Sequence, residues 1–140
     1  MKNDSTCICI NARGLAHRLT QLYDQRMAAS GLKVTQYSVI KKVIDQPDSR
    51  VSEIAQACGL DRTTLTRNLR VLERDGWIEL TESADKREKR IRFARGRRSD
   101  FQRARAAWEQ LQNELADLVD TSVLKNAEQQ ITEKLEESTK

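Results

Sequence analysis

Two helical patterns separated by one glycine turn occupy residues 52–76. In the first, Ser52 is the candidate N-cap of a short helix that Gly59 ends. In the second, Asp61 is the candidate N-cap of a longer helix that stops at Gly76. Two helices joined by so short a turn are typical of a helix-turn-helix motif. No other segment of the chain restricts the possible folds as strongly.

The second helix of this motif has two different faces. On a helical wheel, Leu65, Leu69 and Leu72 form a narrow apolar stripe, and threonine and arginine occupy the opposite side. Arginine bridges two acceptors of guanine, and threonine bonds base edges or touches the thymine methyl group. The candidate DNA contacts on this helix are therefore Arg62, Thr63, Thr64, Thr66, Arg67 and Arg70. The competing interpretation is an ordinary amphipathic helix whose arginines are only solvated. Arg74 lies at the far end of the helix and is expected to contact a phosphate or a local acid.

The hydrophobic period changes from helical to alternating after Gly76, which predicts a β-hairpin. Its two strands each carry two alternating apolar residues, Ile78 and Leu80 in the first and Ile91 and Phe93 in the second. A polar loop joins them, so the hairpin is interpreted as a wing beside the second helix of the motif. Asp85 is expected to orient a neighbouring arginine, because DNA phosphate would repel its carboxylate. The candidate contacts to an adjacent minor groove or its phosphates are Lys86, Arg87 and Arg90.

Helical periodicity also predicts elements on both sides of this central segment. A first helix runs from residue 8 to about residue 30 and ends at Gly31, and Thr35 is the candidate N-cap of a second that reaches about residue 45. Beyond Gly96, apolar residues three and four apart form a seam over residues 101–118, and a last helix covers residues 124–135. We assign this seam to a partner chain; the alternative is packing within one subunit.

The composition excludes several classes of protein. A chain of 140 residues with 38% hydrophobic and 33% charged residues fits one folded domain. No apolar run is long enough to span a membrane, and the first ten residues lack a secretory pattern, so a cytoplasmic protein is expected. The sequence contains no phosphate-binding loop, nucleophile elbow or HExxH pair, and His17 is its single histidine. We therefore expect neither an enzyme nor a cofactor.

Positive charge is concentrated in the middle of the chain. Residues 1–60 contain eight basic and five acidic side chains, a net charge of +3. Residues 61–98 contain twelve basic and seven acidic side chains, a net charge of +5. Residues 99–140 contain five basic and nine acidic side chains, a net charge of −4. Residues 86–98 hold eight Lys or Arg and a single acid, Glu88. This distribution favours a polyanion partner, with a solvated face as the alternative.

Two further functions from other classes are weighed against a sequence-specific DNA-binding protein. A structural protein that coats DNA without sequence preference would also be basic, but it has no need of threonine and arginine at base-reading positions. A protein-interaction module would use the apolar seam, but it leaves the basic run of residues 86–98 unexplained.

The chain resembles the MarR family of winged helix-turn-helix regulators over nearly its full length. The motifs that carry the resemblance are Leu32-x-x-Thr35-Gln36-Tyr37, Ile54-Ala55 to Gly59-Leu60, the run from Thr63 to Arg67, Leu72-Glu73-Arg74-Asp75-Gly76-Trp77-Ile78 and Asp85-Lys86-Arg87. The resemblance implies a mainly α (α+β) fold, with a winged helix-turn-helix and its two-stranded wing over residues 35–96 and a helical dimerisation region from residues 1–34 and 97–140. It also implies a homodimer, usually a repressor, on a pseudo-palindromic site in double-stranded DNA. Release follows binding of a small aromatic or phenolic ligand, or cysteine oxidation.

The resemblance also points to residues for this switch. A hydroperoxide-sensing branch of the family has a reactive cysteine early in the first helix and a tyrosine fourteen residues later, a spacing that Cys9 and Tyr23 reproduce. Arg13 stands where that branch has an aromatic hydroxyl, and its charge favours a thiolate. His17 and Tyr37 join the candidate effector or redox site by their position in the family.

The remaining cysteines have simpler interpretations. Cys7-x-Cys9 is a poor zinc motif, because structural zinc needs four ligands with wider spacing, so no metal is expected. Cys58 lies beside apolar residues of the helix-turn-helix and is expected to be a small buried hydrophobe.

Overall fold

The computed structural model describes residues 7–82 and 88–139. In chain order its elements are α1 (Ile8–Met27), α2 (Val34–Asp45), β1 (Ser49–Arg50), α3 (Val51–Cys58), α4 (Arg62–Arg74), β2 (Ile78–Glu82), β3 (Lys89–Phe93), α5 (Arg98–Leu118) and α6 (Thr121–Ser138). Short 3₁₀ turns at Ala28–Ser30 and Arg95–Arg97 follow α1 and precede α5. The chain divides into two compact units, one up to Trp108 and one from Glu109 onward.

The first two helices form, but they end and begin at other residues than the sequence predicts. α1 stops at Met27, and the 3₁₀ turn carries the chain to Gly31, whose φ of 81° is the left-handed value expected of a glycine at a helix end. Thr35 is wrong as the N-cap of α2, because Lys33 holds that position. The Lys33 backbone N–H donates to the Gln36 side chain at 2.9 Å, so a residue inside the helix satisfies the donor at its start.

The helix-turn-helix is present as α3 and α4. Gly59 has a φ of 66° and closes α3 in the left-handed conformation, as the sequence predicts. Asp61 caps α4, since its carboxylate accepts a hydrogen bond of 2.6 Å from a backbone N–H in the first turn. Ser52 is wrong as the cap of α3: Arg50 is the N-cap, and its backbone N–H donates to the Glu53 carboxylate at 3.0 Å.

The predicted hairpin forms as the antiparallel pair β2–β3, with Ile78 opposite Phe93. The sequence analysis missed a third strand, β1, which pairs with the other edge of β3 and sets Ser49 opposite Ile91. The order β1-β3-β2 makes β3 the central strand of the sheet. A strand of two residues is too short to show an alternating pattern, so no periodicity could reveal it.

One hydrophobic core joins the helix-turn-helix to the sheet and to the start of α5. It is filled by aliphatic side chains of α2, α3, α4, β2 and β3, and by an aromatic stack. In that stack, the ring of Tyr37 lies 5.1 Å from that of Phe101 and 5.5 Å from that of Trp108, measured between centroids. Because this core fixes the rotation of α4, it decides which side chains of that helix face outward.

The apolar seam of α5 changes character along its length. Phe101, Ala104 and Leu111 are buried, whereas Leu118 is 79% exposed. The described residues of α6 are all exposed, and they include the large hydrophobic side chains Val123, Leu124, Ile131 and Leu135. A single chain therefore leaves a long apolar stripe open to water.

Candidate DNA interface

The outward face of α4 is determined by its buried face. Leu65, Leu69 and Leu72 are at most 2% exposed and belong to the core. On the other side, an exposed surface of hydroxyl and guanidinium groups forms a shallow cleft of about 370 Å³, lined by Arg62, Thr63, Thr66, Arg67 and Arg70. These groups supply the donors and acceptors that read base edges in a major groove. Five of the six predicted contacts on this helix therefore share one surface.

The sixth, Thr64, lies half buried at the start of α4. Its backbone N–H is the donor to the Asp61 cap, at 2.6 Å. This hydrogen bond is the main reason that the pKa of Asp61 is held below its ordinary value. The ionised carboxylate also lies at the positive end of the helix dipole, so it stabilises the end of α4 that would enter a groove first.

Arg62, the first residue of α4, faces an acid at the base of the hairpin. Its Nη2 atom lies 3.2 Å from Oε1 of Glu88. The hydroxyl of Ser52 donates to Oε2 of the same carboxylate at 3.0 Å, and Nε of Arg50 lies 4.0 Å from it. The sequence analysis missed Glu88 and Arg50. The one feature of the sequence that could have drawn attention to Glu88 is its place as the single acid in the basic run of residues 86–98.

Of the three predicted wing contacts, Arg90 lies in the described part of the chain. Lys86 and Arg87, and with them Asp85, lie outside the described residues. Arg90 is half buried, and its Nη1 donates to the backbone carbonyl of Asp48 at 2.8 Å. Asp48 itself has a φ of 59°, rare for a residue with a β-carbon. Arg90 thus stabilises the turn that leads into β1.

Two arginines near the end of α4 also have partners within the chain. Arg74 pairs with Asp75 at 3.1 Å, which confirms the local acid as its partner. The guanidinium of Arg97 lies 4.9 Å from the centroid of the Trp77 ring and donates to the Asp75 carbonyl at 2.6 Å and to Asp100 at 2.9 Å. Arg90 and Arg97, two cations of the basic run, therefore serve the fold, and fewer remain for a polyanion than the sequence suggests.

Comparison with known proteins agrees with this geometry. The family model of the MarR family matches residues 30–88. The transcriptional regulator MosR of M. tuberculosis, solved in complex with DNA, is 39% identical, with 81% of this chain and 83% of that chain covered and a TM-score of 0.75. The chain belongs to the MarR family. As a member, it is a DNA-binding transcription regulator with a winged helix fold, and the proteins it is similar to are regulators rather than enzymes.

Two more solved structures are similar to this chain. A second structure of M. tuberculosis MosR is 33% identical, over 87% of this chain and 95% of that chain, with a TM-score of 0.72. PcaV of Streptomyces coelicolor, solved with its natural ligand, is 15% identical and shares the fold, with a TM-score of 0.82 over 95% and 96% of the two chains. No protein of curated function matches the sequence.

The candidate switch residues of this MarR protein lie in three environments, exposed, half buried and fully buried. Cys9, Arg13 and His17 are exposed and spaced four residues apart, so they share one open face of α1. Tyr23 is half buried, and its burial raises the pKa of its hydroxyl. Tyr37 is 1% exposed and belongs to the aromatic stack of the core.

Cys58 is half buried, although a buried position is expected from the sequence. Burial raises the pKa of its thiol, and the nearby charge of Lys42 opposes that shift. Within residues 7–82 and 88–139, no three His, Cys, Asp or Glu side chains are grouped to hold a metal ion. None of the helices in those residues is long and apolar enough to cross a bilayer.

Proposed function

We propose that this protein is a homodimeric repressor that binds a pseudo-palindromic operator in double-stranded DNA and leaves it when a small molecule binds. The observation that carries the proposal is the outward face of α4, where threonines and arginines form one surface above a core-fixed leucine stripe. The similarity to MosR, whose structure contains DNA, supports the same use of that surface here.

In this proposal, α4 enters the major groove with its N-terminal half, as the second helix of a helix-turn-helix does. Arg67 and Arg70 reach the O6 and N7 acceptors of guanine, while the threonines bond base edges or contact thymine methyl groups. Arg62 and Thr64 lie at the groove entrance, where phosphates are nearest. Lys86 and Arg87 of the wing contact the adjacent minor groove or its phosphates, and Arg90 supports the base of the wing.

The dimer is proposed to form through residues 1–34 and 97–140, with residues 35–96 as the DNA-binding domain. The support is apolar surface that the single chain leaves open at both ends: Ile8 and Ile10 are 75% and 63% exposed, and α6 carries a further stripe. Exposed leucine and isoleucine in such number are typical of an interface. A two-fold dimer presents its two recognition helices as a pair, which fits an operator with two-fold symmetry.

The effector is proposed to be a small aromatic or phenolic molecule bound near α1. The support is the open face of α1, where Arg13 offers a cation and His17 an imidazole for a polar ring substituent. Cys9, Tyr23 and Tyr37 belong to the candidate site by family position alone.

Selection of bound DNA from a random library tests the proposal. We expect enrichment of one sequence with two inverted half-sites about one helical turn apart. The shifted band on that sequence should persist under a large excess of random DNA. Selection without enrichment, and loss of the band to random competitor, would indicate a protein that coats DNA and would refute the repressor.

A second candidate for the switch is oxidation of Cys9. The observation that favours it is that the thiols of Cys7 and Cys9 are both exposed at the start of α1. Peroxide treatment should then weaken operator binding by the wild type and leave Cys9→Ser unaffected. Cys58→Ser is the matched control, because it removes a half-buried thiol elsewhere and should respond like the wild type.

A further inference from the structure

A single carboxylate links the wing to the helix-turn-helix. The side chain of Glu88, just before β3, is 15% exposed. It accepts a hydrogen bond from Ser52 of α3 and makes ion pairs with Arg50 and with Arg62. Four segments of the proposed DNA-binding domain therefore meet at the Glu88 carboxylate, and Nε of Arg50 lies closer still, at 3.1 Å, to a second carboxylate, that of Glu53.

The ion pair between Glu88 and Arg62 is weak enough for Arg62 to leave Glu88 and bind another anion. The two side chains lie at ion-pair distance, yet Oε1 of Glu88 receives no hydrogen bond from any described residue, so attraction of charge alone holds the guanidinium. The side chain of Arg62 is 62% exposed and lines the cleft on α4. A DNA phosphate offers the same charge and two oxygens that fit the fork of a guanidinium, so it supplies the hydrogen bonds that Oε1 of Glu88 does not make with Arg62.

We propose that Glu88 is a specificity-determining residue that competes with DNA phosphate for Arg62. Binding to random DNA is almost wholly electrostatic, so the ion pair with Glu88 removes the contribution of Arg62 to that binding. Operator binding adds base contacts, which bring the backbone close enough to draw Arg62 from the carboxylate. Glu88 therefore increases the ratio of operator to random-DNA affinity. The inference rests on the proposed DNA contact of Arg62.

The variant Glu88→Gln tests this competition, because glutamine keeps the size and the acceptor for Ser52 but removes the charge. Glu79→Gln is the matched control: Glu79 is exposed on β2, and its variant changes the net charge equally. We expect Glu88→Gln to bind random DNA more tightly, with a salt slope steeper by about 1.8 for one more phosphate per subunit of a dimer. Its advantage over the wild type should shrink about tenfold between 50 and 200 mM salt.

Three further measurements separate this role from a structural one. Glu88→Asp keeps the charge and should retain the wild-type slope. In an Arg62→Gln background, Glu88→Gln should leave the slope unchanged, because the cation it releases is absent. Thermal melting of each variant reports whether the fold is intact.

The competition is refuted if Glu88→Gln shows the slope of Glu79→Gln, or if it binds operator and random DNA more weakly than the wild type. If Arg62→Gln weakens binding while Glu88→Gln has no effect, the interface stands and only the role of Glu88 fails. If Arg62→Gln changes neither affinity, the proposed interface is itself wrong at Arg62, and the inference falls with it.

Discussion

Shortening Ile131 to alanine should weaken the proposed dimer while each chain stays folded. Ile131 is 61% exposed on α6. Full burial of an isoleucine contributes about 1.5–3 kcal/mol, so covering this fraction contributes about 1–2 kcal/mol for each side chain. A two-fold interface contains each residue twice, so Ile131→Ala should cost about 2–4 kcal/mol per dimer. The dissociation constant should rise roughly 30- to 1,000-fold.

Sedimentation equilibrium over a range of protein concentrations measures that constant directly. Glu133→Ala is the control, because Glu133 lies two residues further along α6, on the opposite side of the helix, and should leave the constant unchanged. Melting of the monomer should remain cooperative, since the core of the unit up to Trp108 does not contain Ile131. If Ile131→Ala and Glu133→Ala sediment alike, the apolar stripe of α6 is not the interface.

Three further predictions concern residues of the unit up to Trp108. Arg67→Ala should weaken operator binding by about 1–3 kcal/mol and relax the preference at one position of each half-site, whereas Lys86→Ala should weaken binding to all sequences alike; equal losses on operator and random DNA would refute base reading by Arg67. Phe101→Ala should lower the free energy of unfolding by about 3–5 kcal/mol in denaturant titrations, because it removes the ring that stacks on Tyr37 and meets Phe93 edge-on. Asp61→Ala should fray the start of α4, seen as faster amide exchange at Thr64. The pKa of Asp61 is lowered in the folded protein, so the Asp61 carboxylate stabilises the fold fully at any pH above its ordinary pKa. This stabilisation is lost as the pH falls through the lowered pKa. Asp61→Ala should therefore lack this contribution to unfolding by acid.

The arrangement of helices and hairpin could be predicted because each element has its own signal. Three features of the helix-turn-helix agree with one another: the leucine stripe of α4, the glycine at its entry turn and the cap at Asp61. The residues at which the motif turns and α4 begins could therefore be predicted. The caps at Thr35 and Ser52 are wrong for a common reason. In both helices the donor at the start is satisfied by a Gln or Glu three residues later, and this allows lysine or arginine at the N-cap.

The candidate interface was only partly predictable, since charge along a sequence does not show which charges meet. Arg62 and Arg90 both belong to the basic surface by their positions, but each has a partner, an ion-paired carboxylate for Arg62 and a backbone carbonyl for Arg90, that lies more than twenty residues away in sequence. Such pairs depend on the packing of β3 against β1 and α3. For the same reason, the sequence predicts Glu88 only as part of the polar loop between the two strands, although its side chain is the most buried of the three in its ion pairs with Arg50 and Arg62.

The central position of β3 also bears on how regulators of this type diversify. Its register is fixed twice, by β2 on one edge and by β1 on the other, and Ile91 is paired on both sides. Residues 83–87 connect two strands that are each anchored without them. If the hairpin contacts a DNA groove as proposed, changes of length or sequence in that segment would alter that contact while Ile91 keeps its place in the core. Under this proposal, the paired strands that the fold needs are separate from the segment whose sequence would change with a new operator.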